Sequence, residues 1–141
     1  MNRLAGIFCS ATVLVLLTAL PAAAQADEAG KEKSIWEGVY TSEQADRGQT
    51  VYDRDCSLCH ASQEWTTPIF MRMWQGRSIR ALYDNVRLTM PYDSPGRLTR
   101  EEYAEIIAYM LSLNDVPAGE HPLPSDQEGL DQIMMTPQAD Q

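Results

Sequence analysis

Cys56, Ser57, Leu58, Cys59 and His60 stand in an order that suits the covalent capture of a haem. Two thiols three positions apart can each add across one vinyl group of a protoporphyrin, and a histidine directly after the second can turn its imidazole onto the iron. The spacing predicts one covalently bound haem c, with Cys56 and Cys59 as the thioether residues and His60 as an iron ligand. Zinc sites and thiol-disulfide exchange use the same Cys-x-x-Cys pair. A closed zinc site takes four ligands, yet beyond this cluster the chain offers only Cys9 and His121. A thioredoxin-type dithiol follows a strand in a βαβ unit, and no Val/Ile-rich strand precedes Cys56.

The position opposite His60 on the iron separates electron carriers from ligand binders and peroxidases. A methionine thioether there favours ferrous iron and raises the potential. Met90 is the first candidate, because Pro91 fixes the loop that carries it and its distance along the chain lets it wrap the haem edge. Met71 and Met73 compete for the place, although Met71-Arg72-Met73-Trp74 reads better as a packing segment. His121 or an open site are the remaining options, and a lone histidine between Glu120 and Pro122 reads most simply as a solvent-exposed side chain.

A haem attached in this way has to be met outside the cytoplasm, and the first residues supply an address. Arg3 precedes an apolar run from Leu4 to Leu20, then small residues at Ala24 and Ala26 in an A-x-A arrangement. Residues 1–26 are therefore expected to be a signal peptide cut before Asp27, sending the protein to the periplasm. A retained leader would instead anchor the chain in the membrane. Cleavage removes Cys9, leaving only the two haem thiols and no structural disulfide.

The elements that must position the site are helical. Thr41 and Gln44 form a capping-box pattern for a helix over 42–55 that delivers the chain to Cys56, with Ala45, Gly48, Val51 and Tyr52 on one face. Ser78 can cap a second helix, with Ile79, Leu82, Tyr83 and Val86 inward, which Thr89-Met90-Pro91 breaks. Thr99 and Glu102 form another capping box ahead of Tyr103, Ile106, Ile107, Met110 and Leu111, a helix ending near Leu113. The expected division is a signal peptide at 1–26, an N-terminal extension at 27–40, the main domain at 41–114, and an extended or mobile acidic tail at 115–141, which is rich in Pro, Gly, Asp and Gln.

The chain of 141 residues has a net charge of −9, unevenly spread. Residues 27–64 sum to −5, residues 65–100 to +4 with six arginines, and residues 101–141 to −9. Nucleic acid is excluded as a partner, since its binders present a net basic face. The arginine segment suits haem propionates or an acidic partner.

The mature chain resembles small class I cytochromes c. Trp36-Glu37-Gly38-Val39-Tyr40-Thr41, Gln44-Ala45-Asp46-Arg47-Gly48, Trp74-Gln75-Gly76 and Thr89-Met90-Pro91 are similar to the cytochrome domains and subunits that accompany quinoprotein (PQQ-dependent) alcohol dehydrogenases. The likeness runs from about Trp36 to Leu123. It implies an all-α fold with three main helices around one haem c, iron held by His60 and Met90, and a non-catalytic electron carrier. Its expected partners are redox proteins, with a dehydrogenase as donor and an oxidase or cytochrome as acceptor. The resemblance also implies that Gly48 lets the first helix approach Tyr109 or Tyr103 on the last. The Pro68 carbonyl is the expected acceptor for the other ring proton of His60. Trp74, Arg77 and Arg80 are the expected propionate contacts. Relatives carry glycine after the haem histidine and a longer loop. Here Ala61-Ser62-Gln63-Glu64 follows, so this loop is where departure from the family pattern is expected.

Overall fold

The fold is built around a crossing of two helices that only a glycine permits. α1 (Ser42–Asp55) and α4 (Arg100–Ser112) meet at Gly48, where an added Cβ would lie 1.9 Å from the Glu105 carbonyl oxygen and 3.1 Å from Tyr109 Cβ. The glycine's partner is thus Tyr109 together with the α4 backbone. The rings of Tyr52 and Tyr109 then pack 5.4 Å apart across the crossing. α4 is buried nearly all round from Tyr103 to Leu111 and forms the centre of the core.

The computed structural model describes residues 32–138. The signal peptide expected over 1–26 lies outside the described residues, as do the first residues of the extension and the last three of the tail. In chain order come β1 (Lys33–Ser34), a 3-10 turn (Ile35–Glu37), α1, a second 3-10 turn (Ser62–Thr66), α2 (Pro68–Trp74), α3 (Ile79–Thr89), α4, α5 (Gln127–Asp131) and β2 (Ile133–Met134). The protein has the small all-α cytochrome c fold, with α1, α3 and α4 as its main helices. No described helix is long and apolar enough to cross a membrane.

Capping explains where these helices begin. Thr99 Oγ1 accepts from the Glu102 amide at 3.1 Å and the Glu102 carboxylate accepts from the Thr99 amide at 2.9 Å, so the expected box is complete. At α1 only half of it forms. Thr41 Oγ1 accepts from the Gln44 amide at 3.2 Å, but the Gln44 side chain turns inward instead of back. Buried there, its amide donates to the Leu123 carbonyl at 3.0 Å and its oxygen accepts from the Leu123 amide at 2.7 Å. Ser78 sits at the start of α3 without capping it, since its hydroxyl reaches Asp131 at 3.3 Å.

The segment beyond 114 departs from the extended or mobile tail expected of its composition. Val116, Leu123, Leu130, Ile133 and Met135 are buried in the core. β2 pairs in parallel with β1, Gly119 donates to the Tyr40 carbonyl at 2.7 Å, and Trp36 Nε1 donates to the Thr136 carbonyl at 2.9 Å. The tail pairs with the extension and packs on α3. Five apolar anchors scattered among polar residues bury enough surface to order the strap, at roughly 1.5–3 kcal/mol for each large side chain removed from water.

Candidate functional site

The end of α1 sets the thiols. Cys56 donates its amide to the Tyr52 carbonyl at 2.8 Å and closes the helix. The amides of Cys59 and His60 then donate to the Cys56 carbonyl at 3.1 and 3.0 Å, so Cys56 to His60 form one tight turn. Both thiols are free, Cys56 half-buried and Cys59 exposed, and Leu58 between them is 96% exposed. Burial pushes the Cys56 thiol up, with the Asp55 carboxylate adding to the effect.

Tyr52 ties this turn to the helix crossing. Its hydroxyl donates to the His60 carbonyl at 2.9 Å and accepts from Trp65 Nε1 at 2.8 Å. Burial raises the Tyr52 phenol, which keeps that proton available. The Trp65 ring lies 5.4 Å from the His60 imidazole, and the Trp65 carbonyl is held in turn by Asn114 Nδ2 at 2.8 Å. His60 Nδ1 is 3.2 Å from Glu64 Oε2, while Glu64 Oε1 accepts from the Ala61 amide at 3.1 Å. These bonds to His60 and Ala61 hold the Glu64 carboxyl below its ordinary range.

Met90 is held from the other helix. Its amide donates to the Val86 carbonyl at 2.8 Å, closing α3. Its carbonyl accepts from the Tyr103 hydroxyl at 2.8 Å, and Tyr103 is fully buried on α4. The methionine loop and the thiol turn are joined directly. Arg97, seven residues after Met90, donates to Asp55 at 2.6 Å, and Asp55 immediately precedes Cys56. Met71 belongs elsewhere, lining a cleft of about 270 Å³ with Trp36, Asn114 and Met135, and Met73 is 58% exposed. His121 lines a second cleft beside Lys33 and Gly119.

Three other expected residues sit differently from the sequence reading. Pro68 is exposed at the first position of α2, where its missing amide proton costs nothing, and His60 Nδ1 lies beside Glu64 Oε2 with no hydrogen bond to the Pro68 carbonyl among the described residues. Trp74 is buried in the core, with the Arg77 guanidinium over its ring at 5.5 Å. Arg80 is committed to Asp131 at 2.6 Å and Asp84 at 3.3 Å, which leaves Arg77 as the propionate candidate without a carboxylate partner among the described residues. Sequence reasoning missed Glu64, Tyr52, Trp65 and Asn114 as supports of the site. The His-x-x-x-Glu spacing was the readable signal for Glu64; Asn114 is recruited by tertiary contact alone.

The donor set fits a covalently held haem. Two free thiols lie on one turn, and an imidazole engaged through Nδ1 leaves Nε2 for iron. Ile69 and Met73 on α2 and Leu88 on α3 remain exposed, apolar surface of the kind a macrocycle covers. The fold and the donor set are those expected of class I cytochromes c, whose members carry one covalent haem c and pass electrons among redox partner proteins. The family model matching residues 43–110 is described as cytochrome c oxidase, cbb3-type, subunit III. Among curated proteins and among solved structures, nothing matches the chain.

Proposed function

We propose that this chain is an exported one-electron carrier in which Cys56 and Cys59 hold the haem and His60 and Met90 take the two axial positions. The observation that carries the reading is the bond from Arg97 to Asp55, which ties the loop bearing Met90 to the turn bearing His60. Bound iron supplies the exchange of a single electron between ferric and ferrous states. The protein's part is to hold the ligands still. Tyr52 fixes the His60 backbone from α1, Tyr103 fixes the Met90 backbone from α4, and Gly48 locks the two helices together. With both ligand segments anchored, little of the chain has to move when the charge changes. Exposed Leu58 leaves the thioether side open, and a small, weakly held interface there suits brief encounters.

The leader at 1–26 supports a periplasmic location, and the resemblance to quinoprotein-associated cytochromes supports a periplasmic dehydrogenase as donor and the respiratory chain as destination. The description of the matched family as an oxidase subunit favours a second reading, a cytochrome held permanently in a larger complex. Size-exclusion chromatography of the native extract separates the two, since a subunit elutes with its complex and a free carrier alone. Visible spectra of the oxidised and reduced protein test the ligation. Methionine ligation gives the weak long-wavelength charge-transfer band of ferric haem; its absence, with rapid carbon monoxide binding to the reduced protein, would mean an open iron site and a sensor or peroxidase.

A further inference from the structure

We propose that Glu64 is the positioning residue of the iron-binding imidazole: its carboxylate takes the Nδ1 proton of His60 in hydrogen bond, fixes the ring orientation and biases the haem toward the ferric state. The proposal rests on His60 being an iron ligand. Both carboxylate oxygens are placed. Oε1 is pinned by the Ala61 amide at 3.1 Å, which aims Oε2 at Nδ1 at 3.2 Å. The second 3-10 turn builds this arrangement, because Glu64 is its third residue and Ala61 precedes its first. The ring is flanked independently by Trp65, 5.4 Å away and tilted by 51°, whose indole is bonded to Tyr52 and whose carbonyl is bonded to Asn114. The imidazole is therefore held at Nδ1 by a carboxylate and flanked by a tilted indole.

The chemical consequence follows from charge. A neutral acceptor on Nδ1 orients the ring and leaves its basicity almost unchanged, whereas a carboxylate gives the ring partial imidazolate character and makes Nε2 the stronger donor. The stronger donor favours the more highly charged ferric iron. Glu64 is half-exposed, with 50% of its side chain accessible, so its effect passes through the hydrogen bond more than through the field of a screened surface charge. The short Ala61–Glu64 loop thereby supplies a charged acceptor where a backbone carbonyl was expected.

The test is the reduction potential of the haem-loaded protein, measured by spectroelectrochemical titration, for the native chain, Glu64→Ala, Glu64→Gln and Glu43→Gln. Glu43 is an exposed acid in the first turn of α1 and controls for the loss of one charge. Glu64→Ala is expected to shift the equilibrium toward ferrous about tenfold, 59 mV for one electron. Glu64→Gln should move it in the same direction by less, and Glu43→Gln by no more than about twofold. The Glu64 shift should persist at about 1 M salt, where exposed charges are screened beyond roughly 3 Å. In proton NMR of the ferrous protein, the His60 Nδ1 proton should exchange with water faster in Glu64→Ala than in the native chain. Potentials unmoved in both Glu64 variants, or matched by Glu43→Gln, would overturn the role of Glu64 while leaving the histidine-bound spectrum intact. If His60→Ala leaves the native spectrum unchanged, His60 is no ligand and the underlying reading falls with it. Should Glu64→Ala fail to retain haem, the isosteric Glu64→Gln carries the comparison.

Discussion

Arg97 donates to Asp55 at 2.6 Å, and this pair joins the end of α1 to the loop that follows α3. Asp55 is only 5% exposed and also binds Arg54, which reaches on to Glu102 at 2.8 Å. Burial alone would raise the Asp55 carboxyl, but the bonds from Arg54 and Arg97 outweigh it and hold the group below its ordinary value. The Glu102 carboxyl is lowered first by Arg54 and then by the Thr99 amide. Depressed values in the folded state mean that both groups lend stability fully present above their unfolded values, about 4, and lost as pH falls through the lower folded values. Melting temperature followed by circular dichroism should therefore drop between about pH 5 and pH 3, and Asp55→Asn should lower it at neutral pH and flatten the acid slope. An unchanged slope in Asp55→Asn would contradict this role.

Tyr103→Phe removes the hydroxyl that holds the Met90 carbonyl and leaves the ring in place. Stability should fall by about 0.5–1.5 kcal/mol in urea titration, the net worth of one hydrogen bond. The methionine band should weaken as the loop loosens. Loss of stability without any spectral change would separate the loop from the iron.

Gly48 has no room for a side chain. With the Glu105 carbonyl 1.9 Å from where a Cβ would sit, Gly48→Ala must push α1 and α4 apart, at a cost of about 1–3 kcal/mol or more. The denaturant midpoint should fall with little change in slope, and a variant as stable as the native protein would mean that the helices cross elsewhere.

Leu130 is fully buried on α5. Leu130→Ala should cost about 2–5 kcal/mol and expose the strap from 115 to 138 to limited proteolysis, whereas a freely extended tail would be cut equally fast in both proteins.

The helices and the haem-binding turn were legible because their signals are local. Capping residues at Thr41 and Thr99, apolar spacing on α3 and α4, and the five residues from Cys56 to His60 each need only a few neighbours to be read. The strap was illegible because Leu123, Leu130, Ile133 and Met135 follow no helical or strand period, and their partners lie in the extension, on α1 and on α3 with the turn before it. Gln44 shows the same limit: a residue suited to a capping box was drawn inward by the Leu123 backbone, two hydrogen bonds in place of one. Arg80, expected at a haem propionate, pairs instead with Asp131, which lies fifty-one residues away in sequence and 2.6 Å away in space and so leaves no local signal. The resemblance implies a proline carbonyl as the acceptor for His60, but the short loop places the Glu64 carboxylate beside Nδ1.

Whether His60 and Met90 hold the iron of one covalent haem is decided by the ferric visible spectrum of native protein beside that of Met90→Ala. The native protein should show a methionine band, Met90→Ala should lose it, and the reduced variant should gain carbon monoxide binding. A band that survives in Met90→Ala would rule out Met90 and move the ligand to Met71 or Met73.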